Sequence, residues 1–234
     1  MRLVKPRVEI ENYNGVQIMK RIERACRTCY KSEDHISDDS YKTLLKNCIT
    51  RGHESILEHE KITVRLICDI GVYKDLTRHR AGASFSIEST RYCNYSKDKF
   101  SNEIKFIEPV FYVDTWKDRN YEGSAMSVNE HKSSLWYEAM NNIESVYNEM
   151  ASLNCTPDEM RMVLPHSTAA EVTMTCNIRE WKHILALRCT NHAHPAVEQV
   201  MIPLLLHFKK NMPEIFDNIE YDEEYDGIAT SQYT

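Results

Sequence analysis

The sequence predicts the α+β class: one domain with a central, mostly antiparallel sheet packed by long helices. Three observations carry this. Only 6 of 234 residues are glycine, too few for an all-β chain rich in tight turns. Short segments, Lys61–Ile70 above all, alternate apolar and polar residues as a half-buried strand does. Longer segments repeat apolar residues every three or four positions, as a helix with one buried face does.

Taken in order, Val8–Asn12 alternates well enough for a short strand. Gly15 to Ser32 reads as a helix with Val16, Ile18, Met19, Ile22, Ala25, Cys26 and Cys29 on its apolar stripe. Asp38 or Asp39 is placed to cap the next helix, which runs through Leu44, Leu45 and Cys48 to Arg51 and is stopped by Gly52. After the Lys61–Ile70 strand comes a short helix, Val72–Thr77, and a further strand is expected at Glu103–Ile107. Thr115–Val128 is polar and irregular and reads as a surface loop, followed by a long amphipathic helix, Glu130–Leu153, on Leu135, Ala139, Ile143, Val146 and Met150.

Thr156 with Pro157 behind it is a favoured helix start, and Pro165 ends that helix. Glu171–Cys176 reads as a strand, Ile178–Cys189 as a helix, and Pro195–Lys210 as another, bent at Pro203. No repeat or linker divides the chain. Residues 1–218 are therefore expected to form one domain, and residues 219–234 an acidic, mobile tail.

Bulk properties exclude several classes. A net charge of −6 argues against broad nucleic-acid binding, which needs a large cationic surface. No apolar run approaches the roughly 18 residues a membrane helix needs, and the N-terminal stretch lacks a signal-peptide core. With 8 scattered cysteines, the expectation is a cytoplasmic protein with reduced thiols. Cys26 and Cys29 form a CxxC, either half of a redox or zinc site or two small apolar side chains on one helix face. No second CxxC completes a metal site.

Within this acidic chain, basic clusters stand out. Arg78, His79, Arg80 and Arg91 lie close together, with Ser84, Ser86, Glu88, Ser89 and Thr90 between them. Guanidinium forks match phosphate oxygens, hydroxyls add donors, and the small residues Ala81, Gly82 and Ala83 let a ligand approach the backbone. The competing reading is a solvated surface with ion pairs to Glu58 or Asp75.

A second cluster is Arg161, Asn177, Arg179, His183 and Arg188. Ile178, Trp181 and Leu185 define a buried stripe that Arg188 continues, and a charge on a core-facing side is costly unless an anion meets it. The bland alternatives are a buried pair with Glu198 or a side chain reaching the surface. Arg179 and His183 share a helix face, while Arg188 lies about half a turn around. Either the ligands wrap this helix, or it stands between two sites of an oligomer. A third cluster, His53-Glu54-Ser55-Ile56-Leu57-Glu58-His59, lacks HExxH spacing, and no metal is expected there.

The run RHRAGASFSIESTRY resembles the motif of flavin-dependent thymidylate synthases: RHR, then a serine, one residue, arginine and tyrosine after a spacer. Here 8 residues separate Arg80 from Ser89, and Arg91 and Tyr92 follow. GHESILEH at 52–59, EMRMVLP at 159–165 and NIREWKHILALR at 177–188 are similar to further elements of that family, in the same order.

The resemblance implies FAD held by Ser55, Arg78, His79, Arg80, Asn177, Arg179 and His183. It implies dUMP held by Arg78, Ser89, Arg91 and Arg161, with Arg188 against the uracil ring and His53 near the folate and nicotinamide entrance. It further implies a homotetramer using NADPH and methylenetetrahydrofolate as co-substrates, with no nucleic-acid or membrane partner. Two positions depart from the family pattern. Ile87 stands where glutamate or glutamine is usual, with Glu88 adjacent as a substitute contact, and Asp75 stands where glutamine is common. The rival from another class is a non-catalytic nucleotide- or RNA-binding module built on the same arginines.

Overall fold

The structure, a computed structural model, describes residues 1–112 and 128–223. Among the described residues there are six strands: β1 (Arg2–Val4), β2 (Arg7–Ile10), β3 (Lys61–Asp69), β4 (Ala83–Ile87), β5 (Lys105–Ile107) and β6 (Ala169–Asn177). Its α-helices are α1 (Gly15–Thr28), α2 (Ser40–Thr50), α3 (Ile70–Leu76), α4 (Val128–Ser152), α5 (Pro157–Met160), α6 (Ile178–Arg188), α7 (Pro195–Asn211) and α8 (Pro213–Phe216). The class is mixed α and β with a mostly antiparallel sheet, as expected. Of the loop expected at Thr115–Val128, only Val128 lies inside the described residues, and it already opens α4. Of the acidic tail expected over 219–234, residues 224–234 lie outside them, whereas 219–223 are packed rather than mobile: Ile219 is buried and the Asp222 N–H reaches Cys189 O at 2.7 Å.

The chain divides into two compact units, each assembled from separate segments. The first comprises Met1–Pro6, Ile67–Lys74 and Ile87–Glu171. Here β1, which the sequence reading passed over, pairs in parallel with β5, Arg2 opposite Lys105. Its core is Tyr95, Ile104, Phe106, Met140, Tyr147 and Met160. The face that α4 buries keeps Ile143 and Met150 of the expected stripe but not the rest. Ser133, Met140 and Tyr147 are buried with Trp136, Ile143 and Met150 partly so, while Leu135 and Val146 are exposed. The large aromatics decide this, since they remove the most surface from water and find polar partners as well. The Tyr147 hydroxyl accepts from the Tyr95 backbone N–H at 3.3 Å, and the Trp136 indole N–H donates to Ser167 Oγ at 3.2 Å. At the start of α5, the Glu159 carboxylate takes the Thr156 backbone N–H at 2.7 Å, so the expected cap is present in its boxed form.

The second unit comprises Arg7–Leu66, Asp75–Ser86 and Val172–Thr234. It holds most of the four-stranded sheet, in the order β2-β3-β6-β4. Strand β4 falls inside the arginine-rich run, where no strand was expected. Helix α1 buries Ile18, Met19, Ile22 and Cys26, whereas Val16 and Cys29 of the expected stripe are exposed. The CxxC is therefore not a unit: the Cys26 thiol lies 3.6 Å from that of Cys48 on α2 instead.

Helix α2 ends as the glycine predicts. Gly52 has φ +72°, its N–H reaches Ile49 O at 3.0 Å, and the His53 N–H reaches Cys48 O at 2.8 Å. These two bonds satisfy carbonyls the last turn leaves free. Asp39 stands at the N-cap but pairs with Lys42 at 2.7 Å rather than capping the backbone. Helices α6 and α7 carry the core: Trp181, Ile184, Leu185, Val200, Met201, Leu204, Leu205 and Phe208 are all fully buried. The Trp181 indole N–H donates to Ile62 O of β3 at 3.0 Å, which fixes α6 against the sheet.

Candidate functional site

The clusters read from the sequence gather within both units. In the second unit the chain emerges from α3, runs through Arg78, His79 and Arg80, and enters β4 by way of Gly82. Gly82 has φ +68°, and a Cβ there would lie 2.1 Å from Asn177 Nδ2. Only glycine fits, for reasons of both conformation and space. Asn177 ends β6 and caps α6, its Oδ1 accepting the Glu180 N–H at 2.8 Å, and its own N–H reaches Gly82 O at 3.0 Å. The small residues of the motif thus let the RHR turn lie directly against the start of α6.

Beside this junction is a cavity of about 700 Å³, a size usual for small-molecule sites. Asn177, Arg179 and His183 of the expected flavin set line it, together with Ala81 and Gly82. So do Glu54, Glu58, Glu180 and Lys182, which the sequence reading did not assign. Arg179 is paired with Glu58 at 2.5 Å and Lys182 with Glu54, so an incoming anion has to exchange those carboxylates. The ion pair to Glu58 foreseen as the bland alternative exists, but Arg179 makes it rather than the RHR run. Arg78 and Arg80 are exposed and form no ion pair with a carboxylate among the described residues. Two such neighbouring guanidiniums, a close-approach glycine and a capped helix start suit the diphosphate of a dinucleotide. Of the expected flavin residues, Ser55, Arg78, His79 and Arg80 are not among those lining the cavity. Ser55 and His53 are exposed at the edge of the Glu54–His59 turn.

Arg188, the last residue of α6, is half-buried, in keeping with its place on the stripe. Its partner is not Glu198. Its Nε donates to His79 Nε2 at 3.2 Å and its Nη2 to the Asp75 carbonyl at 3.3 Å. His79 is buried, with its Nδ1 3.5 Å from Glu180 Oε1 and its ring 5.8 Å from that of His183. Burial first, then the charges of Arg188, His183 and Arg78, lower the His79 pKa to about 4. Burial raises that of Glu180. Asp75 enters this arrangement through its main chain, so a side-chain contact with a pyrimidine is not required of it.

The first unit gathers Ser89, Arg91 and Arg161. Asp158 lies between the two arginines, its Oδ2 accepting from Arg91 Nε at 2.9 Å and its Oδ1 3.5 Å from Arg161 Nε. The half-buried Ser89 carries the turn in which its carbonyl accepts from Tyr92 and Cys93. Glu88 is engaged on both oxygens, by the Tyr95 hydroxyl at 2.9 Å and the Glu171 N–H at 3.3 Å. Among the described residues no group of His, Cys, Asp or Glu is arranged to hold a metal, and no helix is long and apolar enough to cross a membrane.

Residues 15–214 match the family model described as "Thymidylate synthase complementing protein". The chain belongs to this family. Flavin-dependent thymidylate synthases resemble it over most of its length. That of Corynebacterium efficiens is 27% identical, over 91% of this chain and 84% of its own. That of Pyrococcus abyssi is 28% identical, over 77% of this chain and 67% of its own. The crystal structure of a UMP/dUMP methylase, PolB from Streptomyces cacaoi, bound with 5-Br dUMP, shares the fold. Its TM-score is 0.73 at 23% identity, covering 93% of this chain and 96% of that one.

Proposed function

We infer that this chain is a flavin-dependent thymidylate synthase, methylating dUMP to dTMP with FAD as its cofactor. Membership of the thymidylate synthase complementing family supports the reaction. The observation that carries the site is the pair of exposed guanidiniums, Arg78 and Arg80, without carboxylate partners among the described residues of a chain of net charge −6, beside a cavity that Asn177, Arg179 and His183 line. Methylenetetrahydrofolate is the carbon donor and NADPH the reductant. Bound flavin supplies the hydride chemistry, and the protein supplies binding, orientation and electrostatics.

In this reading Ser55, Arg78, His79, Arg80, Asn177, Arg179 and His183 hold FAD. Ser89, Arg91 and Arg161 hold the nucleotide phosphate, with Arg78 shared between the ligands. Making C5 of uracil nucleophilic pushes electron density into the ring. Arg188 stabilises that charge at the N3/O4 edge as it develops. His53, exposed after Gly52, stands at the entrance for the folate and nicotinamide. Glu88 orders the loop that carries Ser89 through Tyr95 and Glu171. Burial pushes the Cys26, Cys68, Cys176 and Cys189 thiols up, Cys176 to about 12, which keeps them out of a nucleophilic role.

The working form we propose is a cytoplasmic homotetramer. Leu135, Val146 and Leu153 are exposed and, at spacings of eleven and seven, share one face of α4 and its end, an apolar stripe suited to self-association. Sedimentation equilibrium tests this, and a monomer at working concentrations would count against it. No observation favours a non-catalytic nucleotide- or RNA-binding module. The visible spectrum decides between the two: purified protein should be yellow, bleach with NADPH, and form dTMP when folate and dUMP are added. Colourless protein that takes up no FAD overturns the reading.

A further inference from the structure

A guanidinium can only donate hydrogen bonds. His79 Nε2, which accepts from Arg188 Nε at 3.2 Å, must therefore present a lone pair, and the ring proton must sit on Nδ1. That nitrogen faces Glu180 Oε1 at 3.5 Å, and the two side chains are 7% and 9% exposed. Glu180 and Arg188 stand at the two ends of an i, i+4, i+8 row on α6 with buried Ile184 between them. The imidazole bridges the ends of that row.

We propose that Glu180 is a positioning residue which, by holding His79 in its Nδ1–H tautomer, sets the direction of the Arg188 guanidinium. The carboxylate, 3.5 Å away, is the acceptor that faces the Nδ1 proton, the opposite nitrogen accepts from Arg188 Nε, and the Asp75 carbonyl takes Nη2. Two points of the planar fork are thereby fixed, and Nη1 is left without a partner among the described residues. A fork held at two points presents its remaining donors along one line, so little is reorganised when charge appears on a bound ring. Without an acceptor at position 180, the ring gains access to the other tautomer. Nε2–H then opposes Nε–H of Arg188, and the guanidinium swings free. Burial, which keeps the imidazole uncharged, reinforces the arrangement, because a doubly protonated ring has no lone pair to offer.

The proposal rests on the function inferred above for what Arg188 does, but not for the tautomer itself. Its test therefore has two parts. Imidazole ¹⁵N shifts of His79, assigned with a His79→Gln variant, are read in the FAD-loaded protein for the wild type, Glu180→Gln and Glu180→Met. Gln keeps an acceptor oxygen, whereas Met keeps the length and loses the acceptor. The wild type and Glu180→Gln should show a protonated Nδ1 and an unprotonated Nε2, and Glu180→Met a mixture of tautomers.

In steady-state assays at saturating FAD, Glu180→Met should lose about tenfold or more in kcat, as expected for a weakened transition-state contact, with the dUMP KM within about threefold. Glu180→Gln should recover most of kcat. An unaltered Nδ1–H tautomer in Glu180→Met overturns the proposal, as does equal kcat in all three proteins. If no variant, wild type included, forms dTMP, it is the function reading that fails, and the nitrogen shifts still decide the tautomer.

Discussion

Gly82 backs onto Asn177 so closely that a Cβ on the glycine would fall 2.1 Å from the amide nitrogen of the asparagine. The contact joins the end of the arginine-rich turn to the cap of α6. Gly82→Ala must therefore expel the Asn177 side chain and hold alanine at φ +68°. Left-handed strain costs about 1–2 kcal/mol and a lost cap about 1 kcal/mol, so a destabilisation of roughly 2–3 kcal/mol is expected. Urea unfolding measures it. A change below about 0.5 kcal/mol would show that the turn accommodates a side chain after all.

His79 gives the fold a pH dependence of definite sign. Its folded pKa of about 4 lies below the ordinary 6.5, because burial and the facing charges of Arg188, His183 and Arg78 outweigh the opposing pull of Asp75, with Glu180 the remaining facing group. Between these two values the unfolded chain binds more protons than the folded one. Stability is thus fully present above pH 6.5 and is lost as pH falls toward 4. The loss is on the order of 3 kcal/mol. Denaturant curves for the wild type and His79→Gln should diverge in that window, and parallel slopes would remove His79 as the cause.

Arg188→Ala should abolish most dTMP formation while FAD remains bound. A preorganised donor facing developing charge contributes about 10²–10³ in kcat. Arg188→Lys should recover little, since a point charge lacks the fork that His79 and Asp75 orient. Single-turnover oxidation of the reduced flavin by dUMP and folate is the direct measure, and unchanged rates in Arg188→Ala would refute the assignment.

Asp158 already neutralises part of the charge that Arg91 and Arg161 offer. Each arginine replaced by alanine should raise the dUMP KM by roughly tenfold, the scale of one charge-assisted bond. Asp158→Asn removes a competing anion and should lower the KM by up to about fivefold, the effect of an exposed pair. Raising salt from low to high should narrow all these differences. A higher KM for Asp158→Asn would instead make Asp158 an organiser of the two arginines.

Much of the fold was legible because its signals are local. The Gly52 stop, the Thr156–Glu159 start, the strand at 61–69 and the extent of α6 depend on residues within a few positions of one another. Strand β4 is weakly written in the sequence: Ala-Ser-Phe-Ser-Ile alternates, but its inner side chains are only half-buried and its small and hydroxyl residues suit a loop as well. Glu180 also had a signal, an acid and an arginine closing one i+4 row around a buried isoleucine.

By itself the sequence determined which residues are basic, which are small, and which lie on a common helix stripe. Ile178, Trp181, Leu185 and half-buried Arg188 bear this out. Tertiary structure alone decided the partners: Arg188 on His79 rather than Glu198, Cys26 beside Cys48 rather than Cys29, and α4 buried on Met140 and Tyr147 rather than Leu135 and Val146. Backbone period and capping act over a turn or two, so they are written along the chain. Which charge meets which acceptor, and which of two apolar faces is covered, depends on groups brought together from a hundred residues apart.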